Sequence, residues 1–470
     1  MNNANRIINA FVIISLLFLL LTGFAAAATE IRTLDELMAI DDSAANLNLD
    51  YILMNDIDVS GSVSFMPIGT NSDPFTGKFD GNGYTISNIT FIEPTTDYVG
   101  LFGFTDGASI SNLSLKNIDL EGQDWVGGLI GYTNNTSVSQ CSVENLDAYQ
   151  ISGREHTGGF VGHVKDSEIS ESYATSNVYG TIYAGGFVGR MAESKISKSY
   201  ATGNVENTRR GGGFIGFMQF NSEISESYAT GNATGNSYTA GFVGGIEQSK
   251  ISKSYATGNV ESESYIGGFA GTVVDAEISE CYATGNANGI SNFGGFVGHM
   301  ASVFVPPTIT DSFYIGTPDS NNNSKGFFVT SDELKKRDTF TTNGGYISTS
   351  WDISSSSHQV SVWYINEGNG YPKFEWYEPE QEPPAESKKG GTGTGSATIV
   401  NNTSPQNVQV VDNTPQNITP LQNKTPISED VAEPEPTTPY WLLLLIGTLL
   451  SIFIFAIILY KRRKDEEVKE

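Results

Sequence analysis

Apolar and polar positions follow one another along most of this chain in short runs punctuated by glycine. The clearest run is Glu168-Ile169-Ser170-Glu171-Ser172-Tyr173-Ala174-Thr175, which follows Gly158-Gly159-Phe160-Val161-Gly162 and closes at Asn177-Val178. The opening phenylalanine recurs as Phe160, Phe187, Phe214, Phe242, Phe269 and Phe296, at intervals of 27, 27, 28, 27 and 27 residues. Looser copies at Gly100-Leu101-Phe102-Gly103 and Gly128-Leu129-Ile130-Gly131 bring the starts to eight. A fixed period means that each unit buries its apolar face by stacking on its neighbours. Helical repeats are excluded, because glycine recurs within each unit and every interior glycine costs a helix about 1 kcal/mol. The pattern predicts an all-β, parallel β-solenoid of about eight to ten coils, each with two or three short strands separated by turns at Gly, Ser and Asn.

Charge within the repeat predicts register. The residue before the isoleucine reads Glu168, Lys195, Glu223, Lys250, Glu277 from unit to unit, and the residue two after it reads Glu171, Lys198, Glu226, Lys253, Glu280. The sign alternates in both rows. Coils stacked at the strand spacing of about 4.8 Å would set each carboxylate between two ammonium groups. Each exposed pair is worth only roughly 0.2–1 kcal/mol, so the larger effect is on register. Asn177, Asn204, Asn232, Asn259 and Asn286 align at one turn, mostly after a glycine suited to positive φ, as an inward ladder serving turn backbone and its own amides. Tyr173, Tyr200, Tyr228, Tyr255 and Tyr282 align as an aromatic column, read as stacking that stabilises the coils or as a sugar-binding strip.

The two cysteines, Cys141 and Cys281, occupy the slot that Ser172, Ser199, Ser227 and Ser254 fill elsewhere. Five coils apart, they lie beyond disulfide reach, and a small thiol in place of serine implies an inward column with the tyrosines turned outward.

The ends of the chain differ in kind. Residues 1–28 join Arg6, an apolar run and Ala25 to Ala28 in the pattern of a secretory signal. Residues 440–460 form an uncharged apolar run long enough to cross a bilayer as a single helix, followed by Lys461-Arg462-Arg463-Lys464. Positive charge beyond the run predicts a single-pass membrane protein with its N-terminus and bulk outside and residues 461–470 as a cytoplasmic tail. Between body and membrane, 378–439 is rich in Glu, Pro, Thr, Asn and Gln and reads as a disordered stalk, reaching up to about 190 Å in polyproline form. Its sequons at Asn401, Asn402, Asn417 and Asn423 are candidate glycosylation sites. The formal net charge of −27 argues against nucleic acid or anionic lipid as a partner and suits an exterior protein.

Residues 29–97 read as an N-terminal cap with lead-in coils. Thr33-Leu34-Asp35-Glu36 is a capping box for a short helix that would cover the first coil. Asp80-Gly81-Asn82-Gly83 reads as a tight turn, with a calcium loop as the lesser reading because later acidic ligands are missing. The repeats occupy 98–320. Val303-Phe304-Val305-Pro306-Pro307 interrupts the last of them. Residues 321–377, with a second capping box from Thr330 to Glu333 and Trp351, Trp363, Tyr364, Tyr371, Phe374 and Trp376, read as a C-terminal cap, with an aromatic ligand site as the other reading.

The Gly-aliphatic-Gly starts with their Ser-Tyr-Ala-Thr-Gly-Asn-Val continuation, together with Phe75-Thr76-Gly77-Lys78-Phe79-Asp80-Gly81-Asn82-Gly83-Tyr84, resemble the GLUG-motif repeats of archaeal and bacterial surface proteins. The resemblance covers roughly 30–377, with Phe-Val in most copies where the motif's name has Leu. It implies a right-handed parallel β-helix at a cell surface, in an adhesin-like role, and carries no catalytic motif.

Chemistry is sparse. Polysaccharide-degrading β-helices need convergent carboxylates on adjacent coils, whereas here the repeat carboxylates alternate with lysines, which lowers their pKa and makes them poor general acids. His156, His163, His299 and His358 are scattered, and His163 and His299 share a phase but lie five coils apart. The expectation is a structural or adhesive surface protein without cofactor or metal. Its candidate partners are glycans or proteins of neighbouring cells or envelope. The alternative is a carbohydrate-binding or polysaccharide-degrading protein that uses the tyrosine column or the aromatic cap.

Overall fold

The computed structural model describes residues 27–376 apart from 62–64, 147, 317–325, 348, 356–360 and 375. The chain divides into two units, Met1–Glu386 and Ser387–Glu470, and every described residue lies in the first. Residues 1–26 of the signal-like segment 1–28, the segment 378–439 with its four sequons, and the apolar run 440–460 lie outside the described residues. Among the described residues no helix is long and apolar enough to cross a membrane.

Each repeat closes into one coil of a parallel β-solenoid. One unit shows the plan, with strands Glu155–Gly158, Val161–Lys165, Glu168–Ser170, Tyr173–Ala174 and Asn177–Gly180, before the next coil begins at Ala184–Gly185. Their equivalents stack into five parallel sheets, here named aromatic, valine, charged, tyrosine and asparagine in that order. These hold 7, 8, 11, 11 and 8 strands. Eleven strands at about 4.8 Å give the solenoid a length of about 48 Å.

Five strands per coil, where the sequence predicts two or three, follow from corners that need no loop. On either side of the charged sheet the chain turns at a left-handed residue, which Phe220 (φ 55°) precedes in one coil. These residues are Asp166, Glu193, Asn221, Gln248 and Asp275 on one side, and Glu171, Lys198, Glu226, Lys253 and Glu280 on the other, all with φ between 47° and 54°. Such φ values cost a non-glycine residue of the order of 1 kcal/mol or more.

A buried serine follows eight of these ten corners and offsets that cost; Ala276 and Cys281 follow the other two. The backbone N–H of Ser172 donates to Ser199 Oγ, that of Ser199 to Ser227 Oγ and that of Ser227 to Ser254 Oγ, at 3.3, 3.3 and 3.4 Å. The hydroxyls of these serines in turn donate to the carbonyl two residues back at 2.7–2.8 Å. A second ladder links Ser167, Ser194, Ser222 and Ser249 in the same way. Backbone groups that would be stranded at the corners are thereby paired.

Inside, Phe160, Phe187, Phe214, Phe242, Phe269 and Phe296 are fully buried and stacked, with ring centroids 4.6–5.0 Å apart. Val161, Val188, Ile215 and Val243 line the second wall. Ile169, Ile196, Ile224, Ile251 and Ile278 line the third, and Ala174, Ala201, Ala229, Ala256 and Ala283 the fourth. In these coils alanine packs closely against the Gly-Gly backbone that runs across from it. A Cβ on Gly186 would come within 3.1 Å of Ala201 Cβ.

At the N-terminal end Thr33 caps the helix Leu34–Met38 in a reciprocal box with Glu36, and Leu37 seals the first coil at 0% exposure. The C-terminal segment does something the sequence did not suggest. One strand, Phe327–Phe328, extends the tyrosine sheet by a rung. The rest lies along the outer face of that sheet. Val329, Leu334, Phe340, Trp351, Trp363 and Phe374 form a second core with Tyr228, Tyr255, Tyr282 and Phe313. The strands Ala287–Asn288, Ser291–Gly294 and Val297–Ala301 are the last of their sheets. The segment expected to cover the end is therefore mainly a lateral cover. The second box, between Thr330 and Glu333, closes a turn.

Candidate functional site

The charged sheet pairs Glu168 with Lys195, Lys195 with Glu223, Glu223 with Lys250 and Lys250 with Glu277 as direct cross-strand neighbours. Two of these four neighbours close as ion pairs, Lys195–Glu223 at 3.7 Å and Lys250–Glu277 at 3.2 Å, all four side chains at least 46% exposed. Each lysine thus leans to the glutamate that follows it. The second charged row, Glu171, Lys198, Glu226, Lys253 and Glu280, stands at left-handed corners and forms no ion pair among the described residues. At its last member burial pushes the Glu280 carboxyl up while Lys253 pulls it down, so the expected lowering by lysine fails there.

The asparagine ladder forms on the outside. The backbone N–H of Asn204, Asn232, Asn259 and Asn286 each donates to Oδ1 of the asparagine one coil earlier, at 2.9–3.0 Å, starting from Asn177. Asn177 is half-buried and the other four are exposed, which corrects the inward placement. Their turn glycines are also not at positive φ. They are required for close approach, since a Cβ on Gly231 would sit 1.9 Å from the Gly203 carbonyl oxygen. At Asp80 the carboxylate accepts from the Asn82 N–H at 2.8 Å and from Asn112 Nδ2 at 3.0 Å, which makes the segment a turn.

The tyrosines stack at 4.7–4.9 Å with their rings parallel, outside the serine column as the buried Cys141 and Cys281 imply. Tyr228, Tyr255 and Tyr282 are covered by the C-terminal segment, and Tyr282 Oη donates to the Pro372 carbonyl. These three members of the column are closed to a sugar, as is Trp363 at 0% exposure, while Tyr173 and Tyr200 stay half-exposed.

A different column lies on the outside, half-exposed except at the buried His156. Two residues before each Gly-Gly start, the aromatic sheet carries Trp125, His156, Tyr183, Arg210, Tyr238 and Tyr265, one above another. All but Tyr183 have φ between 50° and 58°. Beside them, directly after Gly131, Gly162, Gly189 and Gly216, the valine sheet carries Tyr132, His163, Arg190 and Phe217. The rows interlock. Trp125 stacks on His156 at 5.8 Å and His156 on Tyr183 at 5.1 Å, while His156 faces His163 at 5.3 Å. The Arg210 guanidinium lies 4.2 Å from the Phe217 ring centre and within 5.7 Å of Tyr183 and Tyr238.

His156 and His163 are 6% and 7% exposed, and their four ring nitrogens have no hydrogen-bond partner among the described residues. Burial, reinforced by Arg190 and Arg154, pushes the His156 imidazole down to about 3. Burial, with His156, Arg190 and Lys165 adding to it, holds His163 well below its ordinary value. Arg154 is tied to Asp124 at 2.7 Å and Glu155 at 3.2 Å. The sequence reading missed this strip by treating the four histidines as scattered. His156 and His163 differ in phase, and only the bend between two sheets brings them together. The available signal was the run of aromatic or basic residues two before each Gly-Gly pair. Among the described residues no three His, Cys, Asp or Glu side chains are grouped to hold a metal.

Comparison with known proteins agrees with the repeat. Residues 262–288 match the family model described as the GLUG motif. The chain thus carries a GLUG motif within a parallel β-solenoid. Over 167 residues, 33% of its length, it is 33% identical to halomucin of Haloquadratum walsbyi, of which the match spans 2%. Among solved structures it is similar to a candidate immunoglobulin A1 protease from Bacteroides ovatus, with 18% identity, a TM-score of 0.40, and coverage of 75% of this chain and 93% of that one. It is also similar to an IgA1 protease, with 15% identity, a TM-score of 0.37, and coverage of 64% and 23%. Neither likeness bears on the chemistry of this chain.

Proposed function

We propose that the chain is a non-enzymatic, extracellular surface protein that presents a stiff β-solenoid, anchored in the membrane through 440–460 and spaced from it by 378–439. The observation that carries this reading is the unbroken register of the solenoid: every coil from Phe102–Asp106 to Val297–Ala301 hydrogen-bonds to the next without a gap. A stack of this kind suits a spacer or a display scaffold. The net charge of −27 favours solubility and keeps copies apart. The partial similarity to halomucin supports a surface setting.

Labelling intact cells with a membrane-impermeant amine reagent tests the proposal. Lys195, Lys198, Lys250 and Lys253 should be modified on intact cells, and the protein should fractionate with membranes only while 440–460 is present. Recovery of unlabelled protein from the soluble fraction of lysed cells would overturn the reading.

A further inference from the structure

Four of the nine arginines fall between Arg154 and Arg210, within three consecutive coils of a chain whose net charge is −27. Arg154 is neutralised by Asp124 and Glu155. Arg190 and Arg210 form no ion pair among the described residues, and the Nε of each is buried without a hydrogen-bond acceptor. They belong to one spot: Arg190 is the cross-strand neighbour of Phe217, and Arg210 lies on the face of the same ring. Just along the axis lie the unpartnered imidazoles of His156 and His163, each more than nine-tenths buried, and the unpartnered indole Nε1 of Trp125.

Unpaired buried polar atoms call for a reason, and these share a chemical character. Arginine Nε and indole Nε1 can only donate, and a neutral imidazole carries one N–H. The complement of such a set is rich in acceptors. The ring faces of Trp125, His156 and Tyr183 are taken up by each other, which excludes the usual stacking of a neutral sugar on an aromatic face. Recognition would therefore run through charge and hydrogen bonds. Guanidinium pairs with planar carboxylate or with sulfate-like oxyanions in two-pronged fashion. From Trp125 to Tyr238 the strip crosses four coil spacings, about 19 Å, which calls for an extended ligand lying along the axis.

We propose that the corner between the aromatic and valine sheets, from Trp125 to Tyr238, binds an acidic polysaccharide whose carboxylate or sulfate groups are held by Arg190 and Arg210. The overall negative charge does not forbid this. At about 0.15 M salt, charges beyond about 8 Å are screened, so the local arginines decide. Such a strip works without the membrane anchor, so loss of binding and loss of anchoring are separate outcomes.

The test uses the full chain in detergent, at that salt, against immobilised polygalacturonate, dextran sulfate, neutral dextran and poly-L-glutamate. The expected result is retention on one or both acidic polysaccharides, with the carboxylated and sulfated arms telling which group is recognised, and none on dextran. Arg190→Gln with Arg210→Gln should weaken binding at least tenfold, and Arg190→Lys with Arg210→Lys less. Lys198→Gln with Lys253→Gln, on another corner, should stay within twofold of wild type. Circular dichroism checks each fold. Should the double glutamine variant unfold, Arg190→Gln alone, at a half-exposed residue, carries the test with a loss of at least threefold. Absence of retention on either acidic polysaccharide, equal binding by a folded arginine variant, or tighter binding to poly-L-glutamate than to the polysaccharides would each overturn the proposal.

Discussion

A serine after a left-handed corner acts in two directions at once: it accepts from the backbone of the coil before it and donates to a carbonyl in its own coil. Ser227→Ala removes both bonds and leaves the Ser199 N–H buried without a partner. A loss of about 1–3 kcal/mol is expected in urea unfolding. Ser227→Cys should cost less, since Cys141 and Cys281 already fill this slot with Sγ bonded to the carbonyl two residues back at 3.2 and 3.1 Å. Equal stability of the alanine variant would remove the ladder as a source of stability. The histidines act on pH dependence. Because the folded His156 stays neutral down to about 3 while the unfolded side chain protonates near 6.5, the unfolded state binds the proton first. Stability is therefore complete above about pH 6.5 and is lost as pH falls toward 3, by about 2–3 kcal/mol at pH 4.5. Asp124 and Glu155, which burial pushes up, work in the opposite sense as they take up protons. The contribution is therefore read as a difference: His156→Phe, which keeps a ring between Trp125 and Tyr183, should flatten the fall in melting temperature between pH 7 and pH 4.5. An unchanged profile would assign the acid sensitivity elsewhere.

At the scale of the strand and the corner, the alternating charges act on register more than on stability. The Lys195–Glu223 pair is exposed, and a double-mutant cycle with Lys195→Glu and Glu223→Lys should give a coupling of about 0.2–1 kcal/mol, falling in 1 M salt. Zero coupling at low salt would leave the alternation without energetic content. The stacking itself was legible from the sequence, because a period of 27 or 28 residues with matched columns such as Ile169, Ile196 and Ile224 admits few arrangements. The number of strands per coil was not. Corners made by Glu171 or Asp166 carry no glycine or proline to announce them, and left-handed φ at a charged residue follows from the buried serine next to it. The direction of the asparagines was misread for a related reason. Asn204 saves a backbone N–H at an exposed turn as well as it would at a buried one, so the residue type alone does not give the side.

For the whole described body, the unexpected feature is the lateral cover. The sequence showed an aromatic-rich tail and a column of tyrosines, and either could have been open; nothing local in either stretch says that they meet. Their meeting changes how the solenoid should unfold. A stack whose coils touch only their neighbours loses order from its ends inward. Here Tyr200, Tyr228, Tyr255, Tyr282 and Phe313, one from each of five successive coils, pack against a single segment, which couples coils that do not touch one another. Trp363 sits at the middle of that contact, 6.1 Å from Tyr255, 5.9 Å from Tyr282 and 4.4 Å from Phe374. Trp363→Ala should cost about 3–5 kcal/mol, as for other buried tryptophans. Hydrogen exchange would locate the loss: amides of the coils from Tyr200 to Phe313 should exchange faster together, while those from Phe102 to Phe160 keep their wild-type protection. Loss of protection confined to the last coil would make the segment an end cover after all, and a uniform loss along the solenoid would mean that the coils already unfold as one unit without it.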